Sequence, residues 1–502
     1  MPTPSGIWEE ADLATRRLAG VALNPSTPVD VLLRLLAQAP LAVRMVLCRD
    51  RALPEPVVDA VLLHPDKRTR GFFARNPHAD PAQRARLVDD PEWYVRAHLA
   101  DGPGGILGAR IEPLPDDTVV HMMSTYENEL LGGGFSRQIS HGLSRSLPTH
   151  PVAAVRVRGV WRWDQLSDER RAALLADADT GVRERALDMA LRRTREADPA
   201  WVEAQLPAHT CHARWDGLIR HALSRNVVNS VLTAPAAAGE RGAIAGNPSL
   251  PADVVALLAR DPDPEVRERI AHRPDLGPDE RRALAVDPDP KVRLAVSVRP
   301  ELTEEERAAI DYEVPTDGCF HPLPRPHFPS DPRLVRRNAD SRHPLLRRKA
   351  AQDHFLPADL VERLSTDDDL GVRVLLAQNH PSASASLLLS AFLEYRGHER
   401  AHLTTRPNFP TTGLAAFADH EDREVRALAA RDPHTTPEAA HRLTHDPDPA
   451  VRAALTRHPN LPPTRLTELL DDEELAHHAA ANPALEPGLL LGLVEMGGRR
   501  GK

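Results

Sequence analysis

The chain is poor in cysteine. Cys48, Cys211 and Cys319 are spread over 502 residues with no C-x-x-C pair. That argues against a disulfide framework or a four-cysteine zinc site and points to a reducing cytoplasm. Lysine is almost missing: Lys67, Lys291, Lys349 and Lys502 are all there are, so the positive charge is arginine. Aromatic residues make up 4%, so the core has to come from Leu, Val and Ala. No uncharged apolar run approaches 18 residues, and "LLLGLVEM" near the end is too short to cross a bilayer. The first residues, MPTPSGIWEEADLATRR, have no basic segment followed by an apolar run, so no signal peptide is expected. Lys+Arg is 63 and Asp+Glu 72, a net charge of −9, which argues against a surface built wholly to grip nucleic acid.

What is present is a repeat. "DPDPEVR" at Asp261–Arg267 returns as "DPDPKVR" at Asp287–Arg293, 26 residues on. The same step links Arg44, Arg70 and Arg96; Arg241 and Arg267; Arg347 and Arg373; and Arg400, Arg426 and Arg452. Arg156 to Arg183 and Arg373 to Arg400 slip to 27. Thirteen units carry this arginine.

Each unit reads as two short helices. Asp263-Pro264, Asp289-Pro290 and Asp448-Pro449 pair an N-cap carboxylate with a proline at the first helical position. The second helix then runs to "RP", "NP" or "HP", because the residue before proline disfavours α. First helices carry their own starts: Thr27-Pro28, Thr436-Pro437, and a capping box at Thr303 and Glu306. One, three and four residues around the arginine the positions are apolar or small, as in Val266, Ile270 and Ala271. Helices this short are marginal alone. They must bury that stripe on neighbouring units, which predicts an all-α chain, an α-solenoid of roughly 26-residue two-helix repeats.

The arginines are read as structure: Arg44, Arg70, Arg96, Arg183, Arg267, Arg293, Arg373, Arg426 and Arg452 form a ladder. An acid precedes many by four residues, at Asp66, Glu92, Asp179, Asp263, Asp289, Asp369, Asp422 and Asp448. In a stack each guanidinium can bond a carboxylate or an orphan carbonyl of an adjacent turn. Histidines before prolines, His150, His380 and His458, sit at helix C-termini, where partial positive charge suits the dipole.

The phrase N-P-x-L-P, L-x-x-L, D-x-D-x-x-V-R resembles the leucine-rich repeat variant family of bacterial helical repeats. It is also similar to HEAT repeats, which carry an Asp/Arg ladder. The match is best at 24–44, 76–96, 247–299 and 356–459, about two thirds of the chain. The resemblance implies a right-handed superhelix whose first helices are partly 3-10. It does not bring over that family's iron–sulfur centre, since no cysteine precedes Cys48; no cofactor is expected.

The expected organisation is helical repeats at 8–104, an irregular insert with a Gly-rich loop (Gly132–Gly134) at 105–140, and central repeats at 141–312, divergent at 201–238. A Pro/His-rich loop at 313–343, C-terminal repeats at 344–496 and a disordered tail at 497–502 complete it. Cys319 falls where a ladder arginine should stand, and with His321 and His327 it offers metal-ligand types at a spacing that matches no familiar motif. His209, Cys211 and His212 read as ordinary helix or loop residues.

No catalytic signature is evident. Five residues after each ladder arginine lies a position of varied chemistry near a helix end: Arg49, Arg75, His272, Gln378, Arg431 and Arg457. Such a strip on a constant frame suits partner binding. The expectation is a monomeric, non-catalytic scaffold for a protein or peptide, not a membrane protein. A nucleic-acid-binding, DNA-glycosylase-like repeat protein is the alternative, against which stand the scarce aromatics; an enzyme or metal site around 313–331 is a third.

Overall fold

The computed structural model describes residues 11–104, 112–131, 133–234, 238–315, 320 and 331–498. Among these residues all regular structure is helical and there is no strand. The chain falls into two compact units. One is Met1–Gly159 together with Phe409–Lys502; the other is Val160–Asn408.

Helix starts follow local chemistry. The carboxylates of Asp263, Asp289 and Asp448 accept the N–H groups of Glu265, Lys291 and Ala450, at 2.9, 2.8 and 2.9 Å. Thr303 and Glu306 close a reciprocal capping box at 3.1 and 2.8 Å. Thr436 caps Ala439. Thr27 does not cap: Pro28 occupies the cap position and the Thr27 hydroxyl turns back to donate to the Val21 carbonyl at 2.7 Å. First helices are short α segments with a 3-10 turn at Ala415–Phe417, and a further 3-10 turn, Ala427–Arg431, ends a second helix.

Three segments depart from the expected loops. Within 105–140, Asp116–Thr125 is a helix, started by Pro115 with Asp116 and Asp117 in its first turn. Within 313–343, Pro332–Asp340 is a helix capped by Asp331, since prolines crowd only the stretch before it. The tail expected from 497 is not disordered at its start: 497 and 498 belong to the helix Pro487–Gly498, and residues 499–502 lie outside the described residues.

In the unit Val160–Asn408, Ala238–Ala245, Pro264–Ala271 and Pro290–Ser297 stack in order. Val266, Ile270 and Ala271 are fully buried in the core they share. Pro332–Asp340, Pro344–Ala351, Leu370–Asn379 and Ala385–Glu394 form a second such run. Each buried Leu, Ile or Val contributes about 1.5–3 kcal/mol, which is what holds eight-residue helices in place.

In the other unit Leu13–Leu23, Leu41–Arg49, Lys67–Ala74 and Trp93–Asp101 stack in order. The Leu13–Leu23 helix also packs on Ala476–Ala480 and Pro487–Gly498, at the far end of the chain. Leu18, Val21, Leu475, Ala479 and Leu490 belong to one core. The approach is so close at Gly20 that a Cβ there would lie 2.2 Å from the His477 carbonyl oxygen and 2.6 Å from the Ala480 Cβ. Residues from the two chain ends thus follow one another in a single stack. Gly102 (φ 66°) ends the Trp93–Asp101 helix in the left-handed region and abuts Gln138, where a Cβ would clash at 1.9 Å.

Candidate functional site

Two ladders frame the candidate strip. In the first, most arginines reach both backward and forward. Arg267 Nη1 donates to the Asp261 carbonyl at 2.7 Å, in the turn before its own helix. Its Nε and Nη2 clasp Asp287 at 2.8 Å each, in the next repeat. Arg70–Asp90, Arg241–Asp261, Arg347–Asp367 and Arg426–Asp446 repeat this two-bond clasp across 20 residues. Bonding by Arg267 helps hold the Asp287 carboxyl below its ordinary value against the opposing effect of burial.

The carboxylates expected at this contact were those four residues before each arginine, and most of them do something else. Asp179, Asp263, Asp289 and Asp422 accept helix N–H groups as caps, which turns them toward their own helix. Asp66 joins the ladder while capping, at 2.9 Å from Arg44 Nη2. Asp369 and Asp448 cap and also bind off-ladder cations, Arg348 and Arg423. The ladder aspartate stands six residues before the arginine of the next repeat, in the turn between helices, where it faces back down the stack. Its signal is the doubled acid: in D-P-D-P the first Asp binds the preceding arginine and the second caps. Three units vary the acid. Arg96 takes Glu129 at 2.6 Å, Arg452 takes Glu474 at 2.7 Å and Arg373 takes Glu394. Arg293 meets the Asp311 carbonyl, and Arg183 the Thr180 hydroxyl at 2.9 Å.

The second ladder was not foreseen. It uses the residue before the unit-ending proline. Asn76 Nδ2 donates to the Cys48 and Arg51 carbonyls at 2.8 Å each, and Asn247 to Leu218 and His221 at 2.9 and 2.8 Å. Arg273 and Arg299 make the same two-carbonyl contact. These donors satisfy the orphan carbonyls at the end of the preceding repeat's second helix. The histidines at this site are donors too, not dipole-facing cations. His380 Nδ1 accepts from Ser382 N–H at 3.2 Å while Nε2 lies 3.2 Å from the Leu356 carbonyl, which needs the neutral ring. Burial lowers its pKa. His458 is placed alike, with Nε2 2.9 Å from the Asp432 carbonyl. Asn482 donates to the Thr456 and His458 carbonyls, and Asn24 to those of Ala480 and Asn482. Residue 24 therefore stands to 482 as 482 stands to 458, and the ladder crosses the chain ends unbroken.

The strip positions cap or end the second helices, and they divide by how far their chemistry is already met. Arg49 clasps Asp50 at 2.8 and 3.1 Å. Arg75 binds Asp101 at 3.0 Å. Gln378 is half-buried, and His272 is exposed. Arg431 lies over the Phe409 ring, 5.4 Å from its centroid. Arg457 shares with His272 the lack, among the described residues, of a side-chain partner, but carries a fixed charge. It is exposed, and among the described residues its guanidinium has no hydrogen bond or ion pair. Desolvation by surrounding protein nonetheless lowers its pKa, with no carboxylate of the described residues opposing. Arg431 is lowered by desolvation too. Arg457 thus reaches solvent while its neighbours partly desolvate it.

Beside it are His477 and His478, their rings 3.6 Å apart. Burial, then Arg457, then Arg16 bring His477 to about 4. Burial, His477 and Arg457 bring His478 to about 2. His478 Nδ1 is buried without a partner among the described residues. At neutral pH both imidazoles are uncharged, beside the Arg457 guanidinium.

Cys319, His321 and His327 lie outside the described residues, as does Gly132. Cys211 precedes the His212–Arg220 helix, with no metal-holding cluster of His, Cys, Asp or Glu among the described residues. Among those residues no helix is long and apolar enough to cross a membrane. A groove of about 740 Å³ lies against Trp163, Leu175 and Ala190, but its rim cations are engaged: Arg171 by the Trp163 carbonyl and Arg193 by Asp164 and Glu196.

No protein-family model matches the chain, and no curated protein matches it either. Among solved structures, a crystal structure of an engineered protein is similar over 93% of this chain and 98% of its own, at 15% identity and a TM-score of 0.10. At that score the likeness carries nothing about fold or function.

Proposed function

We propose that the chain is a non-catalytic α-solenoid scaffold, built of two-helix repeats of about 26 residues in the leucine-rich repeat variant or HEAT manner, and that it binds a protein or peptide along the strip at the ends of its second helices. The 26-residue arginine spacing, the stacked second helices and the two ladders support the repeat reading. The observation that carries the binding reading is Arg457. Every ladder arginine has its acid, carbonyl or hydroxyl, whereas this one is exposed with no hydrogen bond or ion pair among the described residues. An exposed guanidinium with no internal partner is open to a carboxylate or carbonyl from outside the chain. The strip lacks aromatic platforms for base stacking, which disfavours nucleic acid.

The test is site-specific photo-crosslinking. A benzophenone amino acid at position 457 or 378 should yield discrete adducts in cells. The same group at Leu63, an exposed position (86%) off the strip, should not. Identical adducts from all three positions, or none from 457 and 378, would refute the scaffold reading.

A further inference from the structure

The helix Thr180–Glu196 carries a second surface, independent of the strip. We propose that its outer face is an antiparallel docking site for a second copy of the chain. At 17 residues it is the longest helix among the described residues, against 8 for Pro264–Ala271. It packs chiefly on Asp168–Leu175 before it and Pro199–Gln205 after it. Pro264–Ala271, by contrast, has a second helix of its own kind on each side, Ala238–Ala245 and Pro290–Ser297. The arginine ladder breaks at the same place. The Arg183 guanidinium meets the Asp177 and Ala178 carbonyls and the Thr180 hydroxyl, all of its own repeat, and no acid of the next one among the described residues.

Val182, Ala186 and Met189 are buried and fix the inner face of this helix. Turned away from them, Leu187 and Leu191 are 52% and 47% exposed, one turn apart. At 3.6 residues per turn Glu184, Leu187, Leu191 and Arg195 share about 80° of arc, and Asp188 widens it to about 100°. Leu175, also exposed, continues the apolar surface onto the preceding helix, across the groove it lines with Ala190 and Thr194. The side chains of Glu184, Asp188, Arg192 and Arg195 have no hydrogen bond or ion pair among the described residues. Arg185 is turned aside, 5.5 Å from the Trp161 ring centroid.

The order of charge selects the occupant. Glu184 and Asp188 lie toward the N-terminal end of the face, Arg192 and Arg195 toward the C-terminal end. A two-fold axis level with Met189 sets Leu187 of each copy against Leu191 of the other. Glu184 lies about 7.5 Å below that level and Arg195 about 9 Å above it, at 1.5 Å per residue. The axis reverses one copy and keeps the flank, so Glu184 of each copy comes opposite Arg195 of the other. Symmetry forms that pair twice, with Asp188 and Arg192 beside it. A parallel arrangement sets Glu184 level with its own copy and forms neither pair. Within one chain Glu184 and Arg195 stand about 16.5 Å apart along the helix, too far to bond. The face is small for a permanent dimer, so association is weak and reversible. The monomer expected from the sequence then holds only at low concentration.

Sedimentation velocity of the full chain over a concentration series tests this. The expected result is a monomer–dimer equilibrium with a dissociation constant in the micromolar range. Leu191→Asp should weaken it about tenfold, and Glu184→Arg or Arg195→Glu alone about fivefold. The double variant Glu184→Arg/Arg195→Glu should return to within about twofold of the parent. The two single variants, mixed, should form a heterodimer. Leu257→Asp, at an exposed apolar site in another helix of the same unit, should change nothing. All the altered positions are exposed, so unchanged melting is the folding control. A chain that stays monomeric at every concentration overturns the proposal and leaves the face to a different protein. A dimer indifferent to Leu191→Asp and the charge reversals, or equally weakened by Leu257→Asp, overturns it in favour of another face. Loss in both single variants with no recovery in the double variant or the mixture overturns the antiparallel pairing, and the proposal with it.

Discussion

At the scale of single residues the molecule gives the two aspartates of each D-P-D opposite tasks. Asp287 and Arg267 are largely buried, at 7% and 12% side-chain exposure, so removing either leaves a charge stranded. Arg267→Ala should cost about 3 kcal/mol or somewhat less, given the residual exposure. Asp263→Ala should cost about 1 kcal/mol as a lost cap. A double-mutant cycle separates the roles: Arg267 with Asp287 should couple by about 1–3 kcal/mol, and Arg267 with Asp263 by under about 0.5. Urea unfolding of the single and double variants decides this, and equal couplings would contradict the ladder assignment. The ladder was legible as a 26-residue rhythm, but its partner was not. Both aspartates share that rhythm, and only the backbone turn between helices decides which one faces the preceding repeat.

His343 gives a second residue-scale outcome. It is fully buried; its Nδ1 accepts from Leu345 N–H at 3.2 Å and its Nε2 lies 2.8 Å from the Ser297 hydroxyl. Burial first, then Arg307, Arg347 and Arg348 against the opposing Glu304, hold it at about 4. Its folded pKa lies below the unfolded value of about 6.5, so its contribution is fully present above pH 6.5 and is lost as pH falls toward 4. The loss amounts to about 3 kcal/mol. His343→Asn retains a capping side chain but cannot titrate. Between pH 7 and 4.5 it should lose less stability than the unaltered chain, measured by urea midpoints; parallel losses would remove His343 from the account.

At the scale of elements, short helices were readable because their ends are written in local chemistry. Asp-Pro and Thr-x-x-Glu fix starts within a residue or two, and X-Pro fixes stops. Reading failed where caps and breakers were ambiguous: Thr27 looks like a cap but bonds backward, and Pro332 begins a helix inside a stretch taken for loop. The closest helix contact was not visible at all, because a glycine within a helix says only that something is near. Gly20→Ala would place a methyl group 2.2 Å from the His477 carbonyl oxygen, on backbone that cannot swing aside. Overpacking of this kind costs about 1–3 kcal/mol, against a gain of about 1 kcal/mol in helix propensity. The melting temperature should therefore fall. Gly488→Ala, in a helix where a Cβ meets nothing within 4 Å, should hold or raise it. If both substitutions stabilise, the packing of Leu13–Leu23 on Ala476–Ala480 is wrong.

At the scale of the whole chain, sequence order and stacking order part company. The repeat pattern gives the neighbour of every unit except the first and last, because periodicity cannot say what an end unit packs against. Here the end units pack on each other, and the Asn24 and Asn482 bonds continue one ladder through them. The Leu13–Leu23 helix therefore draws part of its burial from residues more than 450 positions away, the rest coming from Leu41–Arg49. Removing residues 409–502 should then expose Leu18, Ala19, Val21 and Ala22, all buried in the intact chain. An 11-residue helix cannot hold itself together in water once that face is bare. Hydrogen exchange should show the Leu13–Leu23 helix losing protection in the truncated chain, while Pro264–Ala271 and Pro290–Ser297, whose core is drawn from residues 218–296, keep theirs. Retained protection in the first helix would mean that its stability is local, and the joining of the two ends would then be incidental to the fold.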